Sequence, residues 1–270
     1  MDFTHGYASA NDLKVFYHRG GSGNGNVPLL LLHGYTDNGL CWSRVADDLV
    51  GTYDVIMPDA RGHGRTQGSA HNFSYEQLGQ DAQAFIEAMG LERPFLFGHS
   101  MGALTALIVA ANAPELVRGI VLEDPPFFNE QSLDGLNMKF MQKAAADGRA
   151  FQKRPLSERM AVCRNNDPGW AEEEVLPWAE AKGEYNPEIL EPHVRVRMHQ
   201  YSWRKAATQV KCPALLVTAE RGIVTPEIAA EAVSLIADCQ LVQIPAAGHC
   251  IHRDAYAKTM QLVTSFLDSY

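Results

Sequence analysis

Pro94-Phe95-Leu96-Phe97-Gly98-His99-Ser100-Met101-Gly102-Ala103 decides how this 270-residue chain is read. Pro94 to Phe97 is an apolar run of strand length, and Ala103 to Ala111 is an apolar run of helix length. A strand that becomes a helix within two residues forces a sharp turn at Ser100. Glycine on each side lets the backbones pass closely and leaves the hydroxyl at the C-terminal edge of the strand. The first N–H groups of the following helix then face any negative charge that develops beside the serine. Ser100 is therefore a candidate nucleophile, and His99, inside the turn, is expected to point away from it.

Outward from this turn, strand-like and helix-like segments alternate. Leu13–His18, Pro28–Leu32, Tyr53–Met57, Val117–Leu122, Ala214–Thr218 and Gln240–Ile244 read as strands. Helices are expected over 40–50, over 74–89 with Ser74 as its cap and Gly90 as its stop, over 225–236 and over 254–267. Arg19 to Asn26 reads as a Gly-rich turn. The order implies an α/β fold, a doubly wound mostly parallel sheet. Between Asp124 and Val210 the pattern changes: prolines at 125, 126, 155, 168, 177, 187 and 192 punctuate short helices such as 133–146 and 157–165. Residues 1–124 and 211–270 are thus expected to form the core domain, and 125–210 an inserted helical cap. An insertion at the C-terminal ends of the strands lies where open α/β sheets bind ligands. Phe127, Phe128, Trp170, Trp178, Met198 and Trp203 are its candidate pocket walls.

Composition narrows the partners. The net charge of -9 argues against nucleic acid and anionic membranes, both of which reward a basic face. Residues 1–6 lack the basic and apolar regions of a secretory signal, and no apolar run reaches the length of a membrane span. Five scattered cysteines without metal-ligand spacing read as reduced thiols in a cytoplasmic protein. There is no metal-binding cluster, phosphate loop or dinucleotide fingerprint; Gly20-Gly21-Ser22-Gly23 lacks the helix such a fingerprint needs. No cofactor is expected.

A serine hydroxyl becomes a nucleophile only when a base takes its proton and a third group orients that base. His249, after Gly248 between the last strand and the last helix, is the candidate base. His252 is read instead as a residue at the start of that helix.

In these features the chain resembles the α/β-hydrolase superfamily. His33-Gly34 matches the oxyanion loop, Asp59-Ala60-Arg61-Gly62-His63-Gly64 matches the D-x-R-G-x-G loop, and Gly98–Gly102 and Gly248-His249 complete the order over nearly the whole length. The resemblance implies an oxyanion hole made by the backbone N–H groups of Tyr35 and Met101, with Asp59 to Gly64 as a structural turn. The acid departs from the commonest family pattern, which places an Asp four residues before a proline after the seventh strand. Counting back from Pro226 lands on Gly222, leaving Glu220 as a displaced substitute. Other family members keep their acid after the sixth strand, where Asp124 ends a strand on the same edge as Ser100. Glu123 should face the other way. Asp124 is preferred, with Glu220 as the alternative.

A serine in the turn disfavours dehalogenation and epoxide opening. The expectation is hydrolysis of a small carboxylic ester or lactone through an acyl-serine. The alternatives are carbon–carbon bond hydrolysis on the same triad, and a ligand-sensing receptor on the same scaffold. Oligomeric state is not expressed in these patterns.

Overall fold

The computed structural model describes residues 3–21, 25–128 and 138–270. Eight strands make one sheet: β1 (Thr4–Ala10), β2 (Leu13–Gly20), β3 (Pro28–Leu32), β4 (Asp54–Pro58), β5 (Phe95–His99), β6 (Gly119–Glu123), β7 (Ala214–Arg221) and β8 (Cys239–Gly248). Their spatial order is β1-β2-β4-β3-β5-β6-β7-β8, antiparallel through β1, β2 and β4 and parallel from there on.

The period-2 alternation of strand side chains divides the core into two layers. Leu30, Leu32, Leu96, Ile120, Leu122 and Leu216 face one side, packed with α2 (Tyr75–Ala88), α3 (Met101–Asn112) and α9 (Pro226–Leu235). Leu29, Leu31, Phe95, Phe97, Val121, Leu215 and Val217 face the other, against α1 (Ser43–Leu49) and α11 (Tyr256–Leu267). Strands covered on both faces explain the continuous apolar runs in the sequence. Ser74 caps α2 as expected, its hydroxyl accepting the Gln77 N–H at 3.2 Å.

β1 had no counterpart in the sequence reading. It lies at the sheet edge, buries little beyond Ala8 and Ala10, and carries Gly6 and Ser9, so it shows no apolar run. Arg19 and Gly20, read as the start of a turn, instead continue β2: they pair with Ile56 and Val55, and the Arg19 guanidinium holds Asp54 at 2.7 Å. Residues 22–24 of that turn lie outside the described residues.

Between β6 and β7 the described residues form α4 (Met138–Gln152), α5 (Leu156–Asn166), α6 (Glu172–Ala181), α7 (Pro192–His199) and α8 (Trp203–Ala207), with no strand among them. The expected helix over 133–146 is described only from Met138, and it continues to Gln152. The last expected helix, over 254–267, is α11 from Tyr256 to Leu267, and a short α10 (Ile251–Asp254) precedes it. Val194, Met198 and Trp203 of this helical segment join the core layer that holds α2 and α3. The sheet order reverses between β3 and β5, and a ligand crevice is expected at the C-terminal ends of strands beside such a reversal. Ser100 follows β5 and His33 follows β3, so both stand at that point.

Candidate active site

The turn at Ser100 is as sharp as the sequence implies. Ser100 adopts φ 51°, ψ -113°, a conformation that L-residues rarely take. Its flanking glycines are required by close approach: a Cβ on Gly98 would lie 2.3 Å from the Gly102 backbone, and one on Gly102 would lie 2.0 Å from the Leu32 carbonyl oxygen. The Ser100 N–H donates to the Glu123 carbonyl at 2.8 Å, tying the turn to the end of β6. Met101 begins α3, so its N–H has no helical acceptor.

His249 follows the last residue of β8, and Asp124 follows the last residue of β6. The Asp124 Oδ2 accepts the His249 Nδ1–H at 2.6 Å, a bond that in a neutral imidazole makes Nε2 the acceptor nitrogen. The Asp124 side chain is fully buried, and it also accepts N–H bonds from Ile223 at 2.9 Å and Val224 at 3.2 Å. Such donors satisfy a buried carboxylate that would otherwise be costly to desolvate. Asp124 itself takes φ 41°.

Gly222 bears directly on the choice of carboxylate. A Cβ there would stand 2.5 Å from Asp124 Oδ2. The position where the commonest pattern puts an aspartate is therefore kept empty by the carboxylate that reaches in from β6. Glu220 is exposed, and its carboxylate accepts the Ala246 N–H at 2.7 Å, bracing the bend in β8.

The loop after β3 is held by two buried histidines. His33 donates from Nδ1 to the Gly34 carbonyl at 2.8 Å and accepts the Ala60 N–H on Nε2 at 2.9 Å. His63 donates to the Arg61 carbonyl at 2.9 Å and accepts the Thr36 N–H at 3.1 Å. Burial pushes both imidazoles below their ordinary pKa, His63 to about 3, so each is neutral and can play both parts. The Gly34 carbonyl also receives the Asp37 N–H at 3.1 Å. A trans peptide points its N–H opposite its carbonyl, so the Tyr35 N–H is turned away from these donors. Gly34 lies against the nucleophile turn, where a Cβ would come within 3.6 Å of Ser100 Cβ.

His99 donates from Nε2 to the His249 backbone carbonyl at 3.1 Å. Burial lowers its pKa to about 3. His252 does not reach the cavity; it is buried and bonded to Glu123.

A cavity of about 200 Å³ opens onto Ser100, Met101, Tyr35 and His249. Of the expected walls, Phe128 and Met198 line it, and four do not. Phe127 and Trp203 stack on each other at 4.2 Å and are buried, with the Trp203 indole N–H bonded to the Phe128 carbonyl. Trp170 donates its indole N–H to Asp254 at 2.7 Å under the Arg253 guanidinium, and Trp178 packs on Phe151 and Lys182. These four serve packing and the seam between the helical segment and the sheet. Tyr75, Arg195 and His199, not expected there from the sequence, also line the cavity. A signal existed for two of them: Arg195 and His199 are four residues apart in Pro192–His199 and so share a helix face, in a chain that is acidic overall.

Among the described residues no cluster of His, Cys, Asp or Glu could hold a metal ion, and no helix is long and apolar enough to cross a membrane.

Residues 27–256 match the α/β-hydrolase-fold family, and the chain belongs to it. It is a hydrolase. It is 30% identical to N-formylmaleamate deformylase of Pseudomonas putida, over 97% of this chain and 96% of that one. Its fold is similar to the crystal structure of E-2-(acetamidomethylene)succinate hydrolase, with a TM-score of 0.84, 21% identity and coverage of 99% and 100%. It is similar also to the enol-lactonase of Burkholderia xenovorans, with a TM-score of 0.76, 19% identity and coverage of 97% and 100%.

Proposed function

We propose that the protein is a serine hydrolase that transfers a small acyl group from a carboxylic ester, a lactone or an N-acyl compound to water through an acyl-serine. The observation that carries this reading is the His249–Asp124 hydrogen bond of 2.6 Å, which fixes the imidazole at the mouth of the cavity holding Ser100. Ester and lactone cleavage follows from the nucleophile and its base. The N-acyl extension is supported by the relatives named for deformylation and for hydrolysis of an acetamido compound.

Ser100 Oγ attacks the acyl carbon as His249 Nε2 takes its proton. The Asp124 carboxylate favours the resulting imidazolium and holds Nδ1 in place. The oxyanion forms against the N–H groups of Met101 and Tyr35, each such donor contributing about 2.7 to 4 kcal/mol to transition-state stabilisation. Collapse expels the leaving group, which takes the proton from His249. Water then repeats the sequence on the acyl-serine, with His249 as base, and frees the acid. Asp124 engages His249 Nδ1 and the imidazole shares the cavity with Ser100, which favours turnover over ligand sensing alone.

A fluorophosphonate probe is expected to label Ser100, and Ser100→Ala to abolish labelling and to lower kcat on p-nitrophenyl and lactone substrates by about 10⁴ to 10⁶. Unchanged turnover in that variant would overturn the reading.

A further inference from the structure

We propose that Arg195, His199 and Tyr75 form a carboxylate-binding subsite in the Ser100 cavity, so that the substrate is an acyl compound bearing its own carboxylate. The inference rests on the acyl-serine reading and deepens it by naming the substrate class.

Some polar groups of the cavity wall are already engaged. Tyr35 spends its hydroxyl on the Ile189 carbonyl at 2.5 Å, and His249 spends Nδ1 on Asp124. Three groups beyond Ser100 remain. The Arg195 guanidinium, the His199 ring nitrogens and the Tyr75 hydroxyl make no hydrogen bond or ion pair with any described residue. Their apolar parts are fixed all the same: the His199 ring packs on Phe128 at 4.5 Å and the Tyr75 ring on Tyr201 at 6.1 Å.

Arg195 is unusual among the arginines of this chain. Arg61, Arg204 and Arg253 are held by carboxylates, and Arg197, one helix position pair further on, donates to the His71 carbonyl. Arg195 alone lines the catalytic cavity, where it is half-buried. No carboxylate among the described residues lines that cavity with it. A guanidinium partly removed from water without a counter-ion is unfavourable, and a ligand anion would relieve it. Burial and the Arg195 charge both lower the His199 pKa, so the ring is neutral and can donate one N–H. The free groups at this wall are therefore a fork of guanidinium donors, one imidazole N–H and one phenol O–H, a set that matches the two oxygens of a carboxylate. The overall charge of -9 repels anions, so their capture needs a local cation of this kind.

The test compares matched esters on the intact protein. Monomethyl fumarate and methyl crotonate differ by a carboxylate on the acyl side, and 4-acetoxybenzoate and phenyl acetate differ by one on the leaving side. The anionic member of at least one pair is expected to have the higher kcat/KM. Arg195→Met should lower that value by about 10- to 100-fold, mainly through KM, and bring the ratio between the anionic and the neutral member toward one; Arg195→Lys should recover part of the loss. Equal use of both members by the native protein, or equal slowing of both by Arg195→Met, would overturn the proposal. A second measurement is independent of turnover: fumarate should protect Ser100 from the fluorophosphonate in the native protein and not in Arg195→Met, whereas crotonamide should protect neither. Absence of fumarate protection sinks the subsite alone. Absence of any labelling sinks the acyl-serine reading instead.

Discussion

Two histidine–carboxylate pairs leave the end of β6 side by side. Asp124 bonds His249 at 2.6 Å, and Glu123, one residue earlier, bonds His252 at 2.8 Å. The histidines are three residues apart, and in both pairs Nδ1 faces the carboxylate. Consecutive strand residues point to opposite faces, so the first pair meets the cavity and the second the interior. The His249 side chain is 35% exposed, whereas that of His252 is 2% exposed and stacks on Trp42 at 4.4 Å. His252 Nε2 is buried without a hydrogen-bond partner among the described residues. Burial drives the Glu123 pKa up and the His252 pKa down to about 3, opposing charge on both members. The geometry of a hydrogen bond to a carboxylate thus does not by itself make a base. Access of the ring to a ligand is needed as well, and of the two histidines only His249 lines the cavity at Ser100.

The comparison is most sharply tested by removing one carboxylate at a time. Asp124→Asn is expected to lower kcat by about 10⁴, by analogy with the same change in serine-protease triads. Glu220→Gln, which touches only the Ala246 N–H, should change kcat by less than about tenfold. Steady-state kinetics on one ester decides between them, and the reverse ranking would move the acid to Glu220.

Gly222→Ala should come next. Its Cβ would meet Asp124 Oδ2 at 2.5 Å and push the carboxylate off His249, costing about 10²-fold in kcat, the scale of a misplacement of about 1 Å. Adding Gly222→Asp to an Asp124→Gly variant should regain part of the rate. A Gly222→Ala protein with native kcat would show that Asp124 is not held where its oxygens now stand.

Glu123→Ala is expected to act on stability. It leaves the His252 backbone N–H and ring N–H buried without an acceptor, at about 1–3 kcal/mol each, so the urea midpoint should fall clearly while kcat of the folded protein changes by less than about tenfold. A loss of kcat as large as that of Asp124→Asn would make the two pairs functionally alike.

The smallest effect concerns pH. In the folded chain His63, His99 and His252 take up a proton only near pH 3, whereas an ordinary imidazole does so near 6.5. Between these values the unfolded chain binds more protons, so the stability these groups contribute is complete above 6.5 and is lost as pH falls. Glu123, with its raised pKa, works in the opposite direction but is a single group. Thermal scans should show Tm decreasing from pH 7 to pH 4. A flat profile would mean that the buried imidazoles are not confined to their neutral form.

Much of this arrangement is written locally in the chain. The Gly98–Gly102 turn, the His33-Gly34 loop and Gly248-His249 are short patterns whose residue types fix their own backbone, and the apolar runs between them specify a sheet covered on both faces. For the same reason β1 was not legible, since its seven residues bury almost nothing and its pairing with β2 supplies the structure. The conspicuous tryptophans of the helical segment misled for a complementary reason: a large aromatic marks burial, and burial against Phe127, Asp254 or Phe151 looks the same in a sequence as burial against a ligand.

What the sequence determined by itself is the fold family, the sharp turn at Ser100 and the strand ends on which Ser100 and His249 stand. Tertiary structure alone decided which carboxylate stands beside His249 and what else faces Ser100. Asp124 and Ile223, or Tyr75 and Arg195, are about a hundred residues apart and meet only when the sheet and the helical segment close. The space left by Gly222 and the Arg195 donors that no described residue engages are properties of that closure, because a vacancy or an unused hydrogen bond exists only relative to everything packed around it.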